Sequence, residues 1–314
     1  MSLSLSTLGR GPAIFTINGG TFFVRDSMLP KHAPVWEPVG CTAFGHIDKF
    51  KKDLIITNNF MLFGNWSQLS CLFPAALLNP VPGSPLFTSA NNPLVITAKN
   101  GDQITYPQSQ ITKMANLYLG LDSEIFAATI EVTSLLSNLG GVLLTPETAG
   151  AYFTRAIGVM YDASSFALTN FLKTRWSAGW AGKTGLTSFQ SQKGFNVAWN
   201  LDLKPDSIDG YGTVNFYIGE AGLIAALKCI PLGPTMAQID AVQPGLGANG
   251  ALLGAGAADL TLTGAAAGSV VLKSAALVET TTAFGNEPLR VNEMAWETVR
   301  AVVAGAIGAG ATVG

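Results

Sequence analysis

His32 and His46 are the only side chains in the chain whose ordinary pKa lies near neutrality, so any general base working at physiological pH would be sought there first. Nucleophilic catalysis needs such a base oriented by a third group beside a serine or cysteine. His32 instead sits in Leu29-Pro30-Lys31-His32-Ala33-Pro34, a proline-flanked loop, and neither histidine is accompanied by a GxSxG elbow, an HExxH pair or a phosphate-binding P-loop. Gly245-Leu246-Gly247-Ala248-Asn249-Gly250 matches the dinucleotide fingerprint. That fingerprint works by joining a strand to a helix N-terminus, whose free amides face the pyrophosphate. Here Pro244 precedes it and more glycine follows, so it reads as a flexible loop. Cys41, Cys71 and Cys229 are odd in number, widely spaced and without a CxxC pair, which argues against a disulfide framework or a zinc site. Lys49, Lys51 and Lys52 form a basic cluster interleaved with Asp48 and Asp53, a pattern expected of a solvated or intersubunit strand face. The sequon Asn65-Trp66-Ser67 is inert without secretion. No cofactor, metal site or catalytic set is expected, and the chain does not read as an enzyme.

Composition points the same way. The 314 residues include 48% hydrophobic residues and 35 glycines, with 18 basic and 20 acidic side chains and a net charge of −2. There is no basic field to hold nucleic acid. Charged residues are only 12% of the chain, against roughly 25% in ordinary soluble domains. Much of the surface is therefore expected to be covered, by lipid or by other subunits. Lipid is the poorer candidate, because no uninterrupted apolar run approaches the ~20 residues of a spanning helix. Met1 to Thr7 is Ser/Leu-rich and lacks a basic n-region, which makes a secretory signal unexpected and synthesis in a cytoplasm the default.

The elements that would position any site are written twice. Ala13 to Gly19 followed by Thr21 to Asp26 resembles Ala156 to Asp162 followed by Ser165 to Asn170, each reading as a β-hairpin, with Asn18-Gly19-Gly20 supplying a tight turn. Asp48 to Asp53 parallels Asp202 to Asp206, and Asn59 to Leu62 parallels Asn215 to Ile218. A helix is then expected in each copy: Trp66, Leu69, Leu72, Phe73 and Leu77 mark one buried stripe, Leu223, Leu227 and Ile230 the other, with Pro74 and Pro231 closing them. Breaker-rich loops follow at 79–93 and 244–258. Alternation resumes in Leu94 to Thr97 with Gln103 to Tyr106, matched by Leu260 to Thr263 with Val270 to Lys273. Each copy ends in a Glu-centred segment, Ala128 to Thr133 and Met294 to Val299. Five blocks in one order imply tandem duplication into two units, 1–150 and 151–314, with a boundary near Pro146 to Gly150. The first carries 8 basic and 9 acidic residues and the second 10 and 11, so both are near neutral.

This order of elements resembles the tail-tube (major tail) proteins of long-tailed bacteriophages, in the variant with two tube domains per chain. The resemblance implies a mainly β fold with one helix per domain, two tandem β-sandwich or partial-barrel domains, and self-association into trimeric rings of pseudo-sixfold symmetry. The rings would stack into a tube in the virion tail, in contact with other tail proteins, and pass double-stranded DNA without specific binding and without a membrane. Four strands per domain in the wall make 24 per ring, which at ~4.8 Å spacing and ~40° tilt closes at a radius of about 24 Å. A channel must not grip phosphates, so a balanced or slightly acidic lining is expected. Asp48, Asp53, Asp102, Asp202 and Asp206, on or beside expected strands, are candidates for it. The competing readings are another tail ring component (distal-tail, hub or terminator) and a two-domain carbohydrate-binding protein using tryptophans such as Trp176 and Trp180 as sugar platforms.

Overall fold

The computed structural model describes residues 13–24, 36–41, 43–51, 55–73, 81–87, 92–98, 101–120, 125–135, 152–154, 174–183, 185–208, 212–235, 238–239, 257–264, 268–283, 290–298, 300–306 and 312–313. They are mainly β. In the first half of the chain the strands are β1 (Ile14–Ile17), β2 (Gly20–Val24), β3 (Trp36–Cys41), β4 (Gly45–Lys51), β5 (Ile55–Asn65), β6 (Leu94–Thr97), β7 (Gln103–Tyr106), β8 (Ser109–Leu119), β9 (Ile125–Leu135) and β10 (Tyr152–Thr154). In the second half they are β11 (Trp176–Trp180), β12 (Ser191–Ile208), β13 (Gly212–Pro231), β14 (Ala258–Gly264), β15 (Gly268–Ala283), β16 (Arg290–Thr298), β17 (Arg300–Ala306) and β18 (Thr312–Val313). All strands but β3 and β4, which pair with each other, join one antiparallel sheet.

Local chemistry accounts for the short hairpins. Between β1 and β2 the chain turns on Asn18 (φ 52°) and Gly19 (φ 75°), the two left-handed residues that a two-residue turn matching strand twist requires. Alternation decides the long strands. In β5, Ile56, Phe60 and Leu62 are buried while Thr57, Asn59 and Met61 are exposed, the period of two expected when one face packs and the other is wet.

The strand pairings run through the same sequence twice. In the first half β1 pairs with β2, β2 with β5, β5 with β9 and β9 with β8. The chain reaches β8 directly from β7, and β7 pairs with β6, which returns to β1. In the second half β11 exchanges hydrogen bonds with Phe189, just before β12. Then β12 pairs with β13, β13 with β16, β16 with the end of β15, the start of β15 with β14, and β14 with β11. The short β10 lies against β7 as β17 lies against the start of β15. Registers agree too: Val95 faces Thr105 as Thr261 faces Val271, both strands of the hairpin being displaced along the sequence by the same amount. Aromatic contacts tie non-adjacent strands within each half, Phe15 of β1 with Phe60 of β5 (4.9 Å) and Trp180 of β11 with Trp296 of β16 (5.9 Å).

Several expectations need correction. Leu223 to Ile230 is not helical but lies inside β13. Leu223, Ala225, Leu227 and Cys229 are buried while Ile224 and Lys228 are exposed, so the period is two. Leucines four apart fit either periodicity, and the small Ala225 hid the choice. Helix-type structure follows β13 instead: Thr235 and Gln238 exchange side-chain to backbone hydrogen bonds (2.8 and 3.3 Å), a capping box leading into helical Gln238 and Ile239. In the first half Trp66–Leu72 is a 3₁₀ helix, which puts Trp66, Leu69 and Leu72 on one buried side at its period of three. The block matching β4 is 212–218 rather than 202–206. Val39 faces Asp48 as Asp206 faces Asn215, with the same register skip following each pair. Asn59 to Leu62 corresponds in pairing to the segment around Leu227, not to Asn215 to Ile218, because Phe60 faces Ile130 as Leu227 faces Trp296. The expected hairpin at 156–170, the boundary at 146–150, Leu77, and the glycine motif at 245–250 lie outside the described residues. The strand that pairs like β1 is β11, Trp176–Trp180.

Candidate assembly edge and polar sheet face

The two halves meet edge to edge. β8 pairs with β12 from Phe195 opposite Leu119 to Asn200 opposite Lys113, making one continuous run β2-β5-β9-β8-β12-β13-β16-β15. One core joins the halves behind it: Trp66 lies 5.4 Å from Trp176, and Phe73 lies 6.4 Å from Trp199. A second tie comes from Val81 to Phe87, which adds to the far part of β13. Gly83 donates to the Ile218 carbonyl (2.8 Å), Ile218 to Ser84 (2.9 Å) and Leu86 to Phe216 (2.7 Å). The Asn215 amide closes the contact, accepting from the Phe87 N–H (3.1 Å) and donating to its carbonyl (3.0 Å).

Glycine permits the first junction. Gly194 has φ 77°, and a Cβ there would lie 2.4 Å from the Leu119 carbonyl oxygen on β8. Gly194→Ala is accordingly expected to cost roughly 3 kcal/mol, from backbone strain and a clash that only separation of β8 from β12 relieves. Chemical unfolding would measure it, and a loss under about 1 kcal/mol, the size of an ordinary substitution, would contradict the assigned contact.

Away from the core, the run presents a polar face. A row of directly opposed residues crosses five strands, Asn59, Glu131, Lys113, Asn200 and Ile224. Glu131 also accepts from the Thr112 hydroxyl (3.2 Å). In the second half Glu297 stands where Glu131 stands in the first, between Ala226 and Ala276. Glu293 pairs with Lys228 at 3.4 Å. A second row, Lys228, Ala295 and Glu279, adds exposed Glu279 to this face. Four carboxylates, Glu131, Glu279, Glu293 and Glu297, thus stand with two ammoniums, Lys113 and Lys228. Exposed pairs of this kind contribute little to stability; their consequence is a slightly acidic surface.

The five acids singled out in the sequence are not gathered together. Asp48 is exposed on β4, Asp102 is half-buried in the β6–β7 turn, and Asp206 lies in the far part of β12. Asp53 falls outside the described residues. Asp202 serves the backbone: its Oδ2 accepts the Ala221 N–H (3.2 Å) where β13 bulges, and it occupies the space a Cβ on Gly219 would need. The polar row was missed because it depends on the register between distant strands. The signal that was available is the pair of Glu-centred segments, which sets Glu131 and Glu297 at the offset that also relates the two hairpins β6–β7 and β14–β15.

Among the remaining candidates, His46 lies in β4 opposite Gly40, and His32 is outside the described residues. Burial pushes the Cys71 and Cys229 thiols upward, which keeps them protonated and unreactive. Trp66, Trp176, Trp180, Trp199 and Trp296 are all buried. A depression of about 390 Å³ borders Trp180 with hydroxyls from Ser177, Thr187, Thr261 and Thr263. The Trp180 indole N–H is spent on the carbonyls of Ala258 and Ala275, both at 3.1 Å, and its ring is only 3% exposed, so it offers no open face for stacking a sugar. Among the described residues no helix is long and apolar enough to cross a membrane.

No family model matches the chain, and no curated protein matches it in sequence.

Proposed function

We propose that the chain is a pair of equivalent β modules and a structural subunit of a bacteriophage tail tube, assembling into stacked rings around a channel. The observation that carries this reading is the in-line junction of β8 with β12. The pairing sequence places the end of β15, Ala276 to Ala283, in the second half where β8 stands in the first. Among the described residues that stretch pairs only with β16. An open strand edge is a template for another chain, and repeating one head-to-tail step closes a ring when the rotation divides a full turn.

Each chain brings eight strands to such a wall, four per module, so three chains give the 24 strands of a tube wide enough for duplex DNA. The polar face, with Glu131, Glu279, Glu293 and Glu297 set against Lys113 and Lys228, would line the channel. Few cations then meet the phosphates, which keeps salt-sensitive affinity low and transit free. The wall row is a better candidate lining than Asp102 and Asp202, which lie in a turn and at a bulge. The subunit acts by self-association and by contact with other tail proteins in the virion, with no catalytic step.

Electron microscopy of the purified protein at rising concentration tests this. Rings or tubes with a central hole are expected. A chain that sediments as a monomer at every concentration contradicts the reading, and particles that stop at one layer would favour a distal-tail, hub or terminator ring instead.

A further inference from the structure

We propose that the outer edge of β4 is a second docking site between copies, filled by strand addition of the segment around Leu252-Leu253 from the preceding subunit. The inference rests on the ring reading and adds a contact to it. Within one chain, Val81 to Phe87 of the first half already adds to β13 of the second half, with Pro85 bridging Tyr217 and Leu86 and Phe87 buried. The ribbon receiving it, the far parts of β12 and β13, has its counterpart in β3 and β4. Ile208 faces Gly212 as Cys41 faces Gly45, and each ribbon carries the same register skip shortly before that pair. Among the described residues β4 pairs with β3 alone.

The occupant is identified by the register of the strands that follow the two loops. Val95 of β6 corresponds to Thr261 of β14, since each faces the matching residue of its hairpin partner. Carried back into the loops, that correspondence takes Leu86-Phe87 to Leu252-Leu253, two adjacent large apolar residues in a stretch, 247–258, otherwise of glycine, alanine and asparagine. A segment so poor in charge, ending in a Leu-Leu pair, suits strand addition with two side chains to bury.

The donor must be another copy. In the chain, the donating module precedes the receiving one across the β8–β12 junction. The same step taken from the second module leads beyond the chain to the first module of the next.

The test uses two full-length variants in a Cys41→Ser background, Phe50→Cys and Ala251→Cys, which correspond to Tyr217 and Pro85. They are co-assembled, oxidised mildly and run on a non-reducing gel, with each variant assembled alone as control. A covalent dimer at least tenfold more abundant in the mixture is expected. Backbone amide exchange over 45–51 should also slow at least tenfold on assembly, and Leu252→Asp with Leu253→Asp should restore fast exchange. Rings visible by microscopy without the mixed dimer and without protection of 45–51 overturn this inference and leave the ring reading standing. A preparation that forms no rings overturns the ring reading, and this inference with it.

Discussion

Val278→Pro is expected to abolish ring assembly while leaving the subunit folded. Val278 lies in the part of β15 that pairs only with β16 among the described residues, and it is 53% exposed. It is also the residue skipped in the register, since Leu277 faces Trp296 and Glu279 faces Ala295. Proline is tolerated at bulges, where no ladder hydrogen bond to the neighbour is lost. On the open side it removes a donor and adds bulk, and a strand addition worth about 1 kcal/mol per hydrogen bond loses its fit. Val278→Lys serves as the second variant, because a lysine on an edge strand repels pairing without constraining φ. Far-UV circular dichroism and the thermal midpoint should stay close to the parent, while microscopy and sedimentation show isolated subunits. Rings that persist in both variants would show that assembly does not use this edge.

Trp66→Ala is expected to destabilise the whole chain by about 4 kcal/mol. Trp66 begins the 3₁₀ helix at the end of β5, is 2% exposed, and lies 5.8 Å from Phe126 and 5.4 Å from Trp176 of the second half. Truncation opens a cavity where the halves meet, so both should be affected together. Denaturant unfolding with Trp66→Ala, Trp176→Ala and the double variant should give a coupling of about 1 kcal/mol, as contacting aromatic rings do. Additive effects would mean that the halves are energetically separate. Trp66→Phe should recover part of the loss.

The parts of the fold legible in the sequence are those specified by neighbours along the chain. Asn18-Gly19 marks a turn because few residues accept positive φ, and the β6–β7 and β14–β15 hairpins show as alternation around short turns. The common offset that relates these hairpins, and Glu131 to Glu297, could be read directly. Likeness of residue type obscured part of the rest. Asn215 to Ile218 resembles Asn59 to Leu62 in type, but the pairing sets Asp48 with Asn215 and Phe60 with Leu227, both displaced by the same 167 residues. In Trp176–Trp180 the middle residues are Ser, Ala and Gly, without the branched side chains that announce a strand, which is why β11 was overlooked. The row from Asn59 to Ile224 was invisible because it exists only once β8 has met β12, strands whose partners are far apart in sequence.

The rotational symmetry of the assembled particle, from cryo-electron microscopy averages viewed down its axis, bears most directly on the central proposal. A threefold particle with an approximate sixfold repeat around an open axis, its modules alternating between β8–β12 seams and β15 seams, is the expected result. A closed twofold dimer, or a particle whose subunits meet without any strand pairing at β15, would contradict it.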